Sequence, residues 1–155
     1  MATPIKRHPS LIQVSREHHF GLLLSWKIRE GLKRNVDPKR IKEYTDWFYN
    51  NYQKKHFEIE EKYMYPVLGN NHPLVIQALH EHRSMDALFQ EKDHIEDALK
   101  ALEKAMESHI RFEERVLFNT IQETASDVQL QLIEANHNEP FADNWIDEFW
   151  KDPKS

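Results

Sequence analysis

The sequence has no cysteine and only three glycines among its 155 residues. The absence of cysteine excludes disulfides, thiolate metal sites and cysteine nucleophiles, and it fits a reducing compartment. Few glycines allow few tight turns, which favours long helices over a many-stranded sheet. No apolar run approaches the roughly 20 residues that span a bilayer, and the N-terminus lacks the apolar core of a secretory signal. We therefore expect a cytoplasmic protein without a membrane partner.

Basic residues are scattered along the chain, although charged residues make up 30% of it and the formal net charge is −5. A phosphate-binding surface needs a concentrated patch of lysine and arginine, so we expect no nucleic-acid partner. The hydrophobic fraction of 39% is typical of a globular protein, and 155 residues suffice for one domain with a real core. The unusual count is that of histidine, at ten.

Helix signals divide the chain into four long helices with short connections. Asp37 is a cap for the second helix, and Pro38 takes its first position. Asp93 and Glu96 form a capping box for the fourth helix, and Ser126 starts a shorter segment with the same type of cap. Because short loops make neighbouring helices antiparallel, we predict an all-α, up-down-up-down four-helix bundle with an additional short C-terminal helical segment. The predicted helices cover about 10–35, 38–65, 73–92 and 93–123.

The predicted domain plan is an N-terminal tail at 1–9, the bundle at 10–125 and a C-terminal helical extension packed on the bundle at 126–155. Pro140 interrupts the extension, and the stretch FADNWIDEFW is predicted to form one more amphipathic helical piece. Trp145, Phe149 and Trp150 in this stretch either pack across the bundle or dock on a protein partner. The apolar stripes predicted to face the bundle interior include Leu11, Val14, Leu22, Trp26 and Leu32 on the first helix and Val116, Leu117 and Ile121 on the fourth.

One motif occurs twice. HFEIEE begins at His56, and HIRFEE begins fifty-three residues later, at His109. Positions i and i+4 share a helix face, so His56 points the same way as Glu60, and His109 points the same way as Glu113. A Glu-His pair occurs at 17–18 on the first helix and again at 81–82 on the third. Alternate helices thus carry similar motifs, which indicates two halves related by an approximate two-fold axis.

The motif histidines interrupt stripes that face the bundle interior. A single histidine on an apolar face is more often a hydrogen-bonded core residue, and one His-x-x-x-Glu pair is often a surface pair. Convergence from four helices favours a metal site instead. An ionised carboxylate buried without a partner costs several kcal/mol, and no lysine or arginine follows these stripes regularly. A cation compensates that charge, and imidazole with carboxylate suits Fe, Zn or Mn. Carboxylates shared among four helices suit a dinuclear centre, in which Glu60 and Glu113 bridge.

Residues off these stripes are predicted to face solvent or the flanks of neighbouring helices. Tyr52 and Tyr63 lie close to a stripe and either donate hydrogen bonds to a bound ligand or belong to the core. The histidines and acids predicted outside the site are His8, His72, His80, His94, His137, Glu58, Glu61 and Glu114.

Four segments resemble, in this order, the hemerythrin-like, or HHE cation-binding, family: SREHHFGLLLSWKIREGL, HFEIEEKYMYPVL, HEHRSM and HIRFEERVLF, which span 15–118. The resemblance implies a four-helix bundle around two non-haem Fe ions joined by an oxo or hydroxo bridge, with Zn or Mn as substitutes. It implies a small diatomic or anionic ligand, such as O₂, NO or peroxide. It also implies terminal ligands and bridges from His18, His56, His82, His109, Glu60 and Glu113.

Two departures from the family pattern affect the ligand set. The first helix offers two adjacent candidates, His18 and His19, and the helical wheel does not separate them; His18 mirrors the second Glu-His pair. Oxygen-carrying hemerythrins have a further histidine one turn before the ligand of the third helix, where this chain has Ala78. Water, a small anion or another side chain takes that place. The second bridging residue is also a glutamate at i+4, where the carrier proteins have an aspartate at a longer spacing. This difference and the missing histidine both argue against a reversible oxygen carrier.

Three functions agree with the resemblance. The first is a di-iron protein that binds O₂ or another small redox ligand for sensing, iron handling or storage. The second is a di-iron enzyme that reduces NO or peroxide, or donates iron for repair. The third is a metal-stabilised scaffold that binds a protein through the C-terminal aromatic segment. The sequence leaves open whether there is turnover, and it does not predict the oligomeric state.

Overall fold

A computed structural model describes residues 6–137 and 141–151. All regular secondary structure within these ranges is helical, which confirms the predicted all-α bundle. Among the described residues, no helix combines the length and apolar character needed to cross a membrane. The first rod of the bundle is α1 (Pro9–Lys33), and the third is α4 (Pro73–Gln90). The second rod contains α2 (Pro38–Phe48), a π-turn (Tyr49–Gln53), α3 (Lys54–Ile59), a second π-turn (Glu60–Met64) and a 3₁₀ turn (Tyr65–Val67). The fourth contains α5 (Ile95–Phe112), a π-turn (Glu113–Leu117) and α6 (Phe118–Thr124); α7 (Asp127–Ala135) follows it.

Local capping explains where most of these helices begin. His8, Asp37 and His72 each accept a hydrogen bond from the backbone N–H two residues later, and each precedes a proline. Proline at the first helical position costs nothing, because its missing N–H has no partner inside the helix. Ser126 and Gln129 form the capping box of α7. The predicted starts of the second helix and of the C-terminal segment are therefore confirmed.

The predicted capping box of the fourth rod is wrong. The α5 helix begins at Ile95, and His94 is its N-cap without a side-chain hydrogen bond. Glu91 accepts hydrogen bonds from the backbone N–H groups of the next two residues, at 3.0 and 3.1 Å. The backbone N–H of Asp93 is therefore bonded to the side chain of Glu91, whereas in a capping box it would be bonded to the side chain of Glu96.

Two apolar clusters lie one above the other along the bundle, with the motif residues between them. On the first rod, Leu11 and Val14 belong to one cluster, whereas Leu24 and Ile28 belong to the other. His18 lies between these pairs. On each of the other three rods, a motif residue likewise lies between a residue of one cluster and a residue of the other. The polar site is therefore a layer enclosed at both ends by buried apolar side chains.

Three residues of the predicted stripes face outward instead. Leu22, Trp26 and Val116 are each 41–43% exposed. The buried face of α1 continues from His18 through Gly21, where an added Cβ would lie 2.7 Å from a methyl of Ile110. The fourth rod thus contacts α1 at Gly21, and Leu22 and Trp26 lie to one side of this buried face. Val116 lies inside a π-turn, whose extra residue rotates it away from the core.

The C-terminal extension packs on the bundle and contains the predicted short helical segment, α7, but little helix after it. Residues 141–148 have no helical turn, so the predicted helical piece over FADNWIDEFW is wrong except for a 3₁₀ turn at Phe149–Lys151. Phe149 and Trp150 are buried in one of the apolar clusters, which leaves them unavailable to a protein partner. The buried ammonium of Lys27 lies 3.2 Å from Asp143 and 3.9 Å from the Trp150 ring centre. The predicted break at Pro140 lies outside the described residues.

Candidate metal centre

Six side chains meet in the polar layer, and each is at most 6% exposed. We call them the inner cluster: His18 on α1, His56 on α3, Glu60 in the π-turn after α3, His82 on α4, His109 on α5 and Glu113 in the π-turn after α5. All four rods contribute. The two glutamates each follow a histidine of their own rod by four residues, so both members of each pair point inward.

The first group in the inner cluster contains two histidines and two carboxylates. Nε2 of His82 lies 3.1 Å from Nε2 of His109 and 3.3 Å from Oε1 of Glu60. Nε2 of His109 lies 3.1 Å from Oε1 of Glu113. These four residues offer ligand atoms that all lie within 4.8 Å of one another, so one cation could contact all of them.

The second group contains His18, His56 and again Glu60. Nε2 of His56 lies 3.5 Å from Oε1 of Glu60. Nε2 of His18 lies 3.1 Å from Oε1 of Glu113, which belongs to the first group. Glu60 is a member of both groups, and Glu113 contacts a histidine from each. The two groups are therefore adjacent candidate cation positions that share Glu60, and Glu113 lies between their histidines.

A second layer of carboxylates holds the outward nitrogens of the histidines. We call Glu17, Glu61, Glu81 and Glu114 the outer carboxylates. Each is the sequence neighbour of a member of the inner cluster. Three of them lie 2.7–2.8 Å from a histidine Nδ1: Glu61 on His82, Glu81 on His109 and Glu114 on His18. A carboxylate on Nδ1 fixes the ring and directs Nε2 inward, as around protein-bound metals.

The electrostatics of these three pairs support that role. Burial alone would raise the pKa of each carboxyl. Hydrogen bonds from the facing histidines outweigh it and lower the pKa of Glu61, Glu81 and Glu114. The carboxylates therefore stay charged over a wide pH range, and each can keep a proton on the histidine Nδ1.

His56 differs from the other three histidines. Its Nδ1 lies 3.7 Å from Oε2 of Glu17 and 3.3 Å from the hydroxyl of Tyr52. Within the part of the chain that the structure describes, Oε2 of Glu17 has no hydrogen-bond partner, and burial raises the pKa of this carboxyl to about 7. Burial, followed by the charge of His18, lowers the pKa of His56 to about 4. The two-fold relation of the motifs is thus broken at one corner of the site.

A cavity of about 50 Å³ adjoins this corner. Its lining includes Glu17, His56, His137 and Phe141. His137 is 2% exposed, and its Nδ1 lies 2.7 Å from the backbone carbonyl of Ile133. A carbonyl only accepts, so Nδ1 carries the proton. Nε2 is a buried acceptor with no hydrogen-bond partner among residues 6–137 and 141–151. The cavity therefore brings two unsatisfied polar atoms, one on His137 and one on Glu17, next to a histidine of the inner cluster.

A π-turn begins at each glutamate of the inner cluster. The backbone N–H of Tyr65 bonds to the carbonyl of Glu60, and that of Phe118 bonds to the carbonyl of Glu113. This i→i+5 pattern inserts one extra residue per turn. The residue five positions after each glutamate therefore returns to the face of the site. Phe118 stacks on His18 with 5.2 Å between ring centres.

Glu60 is the least compensated group of the inner cluster. Neither of its oxygens has a hydrogen-bond partner among the described residues, and the residue is 0% exposed. Burial, followed by the charge of Glu113, raises the pKa of Glu60 to about 8. Burial acts the same way on Glu113, but the charges and hydrogen bonds of His109 and His18 lower its pKa well below the usual range.

The two histidines beside Glu113 complete this charge balance. Burial opposes their protonation, but contacts with Glu113 and with their outer carboxylates raise the pKa of His18 to about 9 and that of His109 to about 10. Without a metal, the protons on His18 and His109 therefore supply the positive charge that balances Glu113. Unpartnered carboxylate oxygens and convergent imidazoles are the groups that a cation would satisfy, so the residues fit a metal site.

Residues 14–121 match the family profile described as the Hemerythrin HHE cation binding domain. The match covers well over half of the chain and includes the whole inner cluster. The chain belongs to the hemerythrin HHE cation-binding family. Comparisons with curated proteins and with solved structures gave no match. The matched segment lies inside the predicted bundle at 10–125, although the exact division into tail, bundle and extension stays a prediction.

This HHE domain brings together six of the seven residues predicted as ligands. His19 is exposed and lies outside the inner cluster, whereas His18 is buried within it. The choice depends on the rotation of α1 about its axis, which the close approach at Gly21 sets. A helical wheel drawn from the sequence does not contain that contact.

Several surface predictions for this HHE domain are wrong in an informative way. Glu61 and Glu114 are half-buried partners of ligand histidines, and their position next to Glu60 and Glu113 was a usable signal. His137 is buried, and no periodic pattern marked it. Tyr52 lies in the core beside His56, and Tyr63 is half-buried. Of the other four histidines, His80 and His94 are exposed, as predicted, and His8 and His72 are half-buried helix caps.

Tyr65 is a further site residue that the sequence predictions did not include. Its hydroxyl donates to Oε2 of Glu113 at 2.9 Å and also lies 2.9 Å from Nε2 of His82. Burial, followed by the charge of Glu113, raises the pKa of this phenol well above its ordinary value. The helix was expected to end at this residue, so no inward direction was assigned to its side chain.

Proposed function

We propose that the protein is a non-haem di-iron protein that binds O₂ or another small redox ligand for sensing, iron handling or storage. In this proposal His18, His56, His82 and His109 are terminal ligands. The two glutamates of the inner cluster bridge the ions. The observation that carries it is the sharing of Glu60 between two ligand groups at the centre of a buried layer. One ion would leave the other group unsatisfied, and both groups lie where water cannot compensate them.

The donor set suits iron, and it also suits zinc and manganese. Imidazole with carboxylate suits Fe, Zn and Mn, and the chain has no thiolate to offer. Four histidines and two bridging carboxylates supply about eight of the roughly twelve positions of two six-coordinate ions. Positions remain for a bridge from solvent and for a small exogenous ligand. The enclosing apolar clusters limit access by bulk water.

Iron content is the direct test. Protein loaded with ferrous iron under anaerobic conditions should retain two Fe per chain after desalting, and oxidation in air should produce ligand-to-metal absorption in the near-ultraviolet. The double variant Glu60→Ala/Glu113→Ala should lose this stoichiometry. Retention of two ions in the double variant would contradict the bridging assignment. A colourless protein whose fold survives chelation would favour the scaffold function instead.

A second candidate is a di-iron enzyme that reduces NO or peroxide, or donates iron for repair. The cavity beside His56 favours it, because the unpartnered Nε2 of His137 and the carboxyl of Glu17 could pass protons to a bound ligand. Steady consumption of NO or peroxide in the presence of an electron donor would support turnover. Stoichiometric binding without turnover would support the first candidate.

A further inference from the structure

Tyr65 occupies a position in the site that its place in the sequence does not suggest. It follows Glu60 by five residues, and the π-turn at Glu60–Met64 returns it to the inward face. The side chain is 0% exposed and lies in the apolar cluster that contains Ala78. Among the described buried residues of this apolar cluster, Tyr65 is the one whose side chain has a hydroxyl, and that hydroxyl contacts the inner cluster.

The hydroxyl contacts two atoms that point at the first cation position. His82 Nδ1 is held by Glu61 at 2.7 Å, so Nε2 is the nitrogen left for an ion. Tyr65 Oη lies 2.9 Å from this Nε2 and 2.9 Å from Oε2 of Glu113. A phenol has one proton to donate. It donates that proton to Oε2 of Glu113, so the hydroxyl has no second proton to donate to Nε2 of His82.

The same distances are those between neighbouring ligands on one ion. Two donors at right angles, each about 2.1 Å from a metal, lie about 3.0 Å apart. The spacing of His82 to His109 and of His109 to Glu113 is 3.1 Å in both cases. The two contacts of Tyr65 Oη are therefore as short as those between the ligands themselves. The hydroxyl extends the first group from four donors to five.

Among the described residues, the second candidate cation position has no corresponding tyrosine. Adding the fifty-three residues that separate the two motifs takes Tyr65 to Phe118, which follows the other π-turn and stacks on His18. On the third rod, Ala78 lies one turn before His82 and offers no ligand atom. Tyr65 thus supplies an oxygen on the side where the third rod has only a methyl group.

We propose that Tyr65 Oη is a direct ligand, as phenolate, of the iron ion held by His82, His109, Glu60 and Glu113. The proposal rests on the proposed di-iron function and deepens it. The phenol proton is released to solvent when the ion binds, as occurs for other protonated ligands. The anionic oxygen favours the ferric state of this ion and fills one of its positions. An exogenous ligand would then have open positions on the ion held by His18 and His56, beside the cavity that His56 lines.

The test uses the visible spectrum of the full chain with two ferric ions bound, because ferric phenolate absorbs there and histidine and carboxylate ligands do not produce that band. Wild type should show the band, and resonance Raman excitation within it should show tyrosine ring modes. Tyr65→Phe should retain two Fe per chain and lose both signals. Tyr63→Phe is the matched control, since Tyr63 lies two residues away and is half-buried, and it should leave both signals unchanged.

Two further measurements keep the outcome decisive. Ring-deuterated tyrosine should shift the Raman modes of wild type, which assigns the band even if Tyr65→Phe folds poorly. Loading with redox-inactive Ga³⁺ should ionise one tyrosine by ultraviolet difference absorption, and Tyr65→Phe should abolish that change. Wild type with two ferric ions and no phenolate band, or a band that persists in Tyr65→Phe, would overturn the ligand assignment alone. Failure of wild type to bind two ions would overturn the di-iron function, which is a separate result.

Discussion

Replacing Glu60 by glutamine should affect the metal-free and iron-loaded proteins in opposite directions. Glutamine keeps the shape of the side chain and removes its charge. In the metal-free protein, burial and the charge of Glu113 raise the pKa of Glu60 to about 8 from the ordinary 4.5. A raised carboxyl pKa gives stability that is complete below pH 4.5 and is lost as pH rises through 8. At neutral pH the native carboxyl therefore lowers the free energy of unfolding unless a cation is present.

The expected magnitude follows from this shift. At pH 7 the unfolded chain ionises Glu60 while the folded protein protonates it, and the 2.5 pH units above 4.5 correspond to about 3 kcal/mol. The buried amide of glutamine recovers only part of its hydration, which costs about 1–2 kcal/mol. We expect a net stabilisation of about 1–2 kcal/mol, or about 2–8 °C in Tm for a chain of this length. The gain should shrink toward pH 5 and grow toward pH 8.

Thermal melts by circular dichroism at pH 5.5, 7 and 8 would measure this effect. With a chelator present, Glu60→Gln should melt above wild type; with ferrous iron under anaerobic conditions, it should melt below, because it loses the ligand that couples iron binding to folding. Glu58→Gln is the control, since Glu58 is exposed on the same rod and should change neither curve. If Glu60→Gln lowers Tm with chelator and leaves the gain from iron intact, Glu60 is a structural carboxylate and the reasoning fails.

Three further predictions address other corners of the site. His18→Ala should lower the iron content measured by elemental analysis, whereas His19→Ala should leave it unchanged, because only His18 is buried in the inner cluster; equal losses would contradict the assignment. Glu81→Gln should weaken iron affinity about 10–100-fold in a chelator competition, since the amide holds the Nδ1 proton of His109 less strongly. An unchanged affinity would show that Glu81 does not support His109 as a ligand. His137→Phe should fill the adjoining cavity and slow azide binding to oxidised iron in stopped-flow at constant iron content; equal rates would rule the cavity out as the route.

The helical plan and most of the inner cluster followed from local rules. Proline and its capping residue mark the start of α2, and the i+4 spacing pairs each motif histidine with its glutamate. These relations involve neighbours along one helix, so the sequence contains all the information they need. The outer carboxylates were within reach of the same reasoning, because Glu61 and Glu114 adjoin the bridging candidates and so face the histidines of the next rods.

Contacts between rods decided the rest. The rotation of α1, set by the approach of Ile110 to Gly21, buries His18 and exposes His19 and Leu22. The burial of His137 depends on how the extension folds back over the second rod, which no periodicity in its own residues records.

The π-turns are local features of one rod, but they change which residues face the other rods. In a regular helix the residue after Glu60 on the same face would be Met64, but the extra residue in the turn brings Tyr65 there instead. The chain by itself determined which side chains are available to the site. Packing among the four rods determined which of them reach it, because one inserted residue or a small rotation moves a side chain from the core to the solvent.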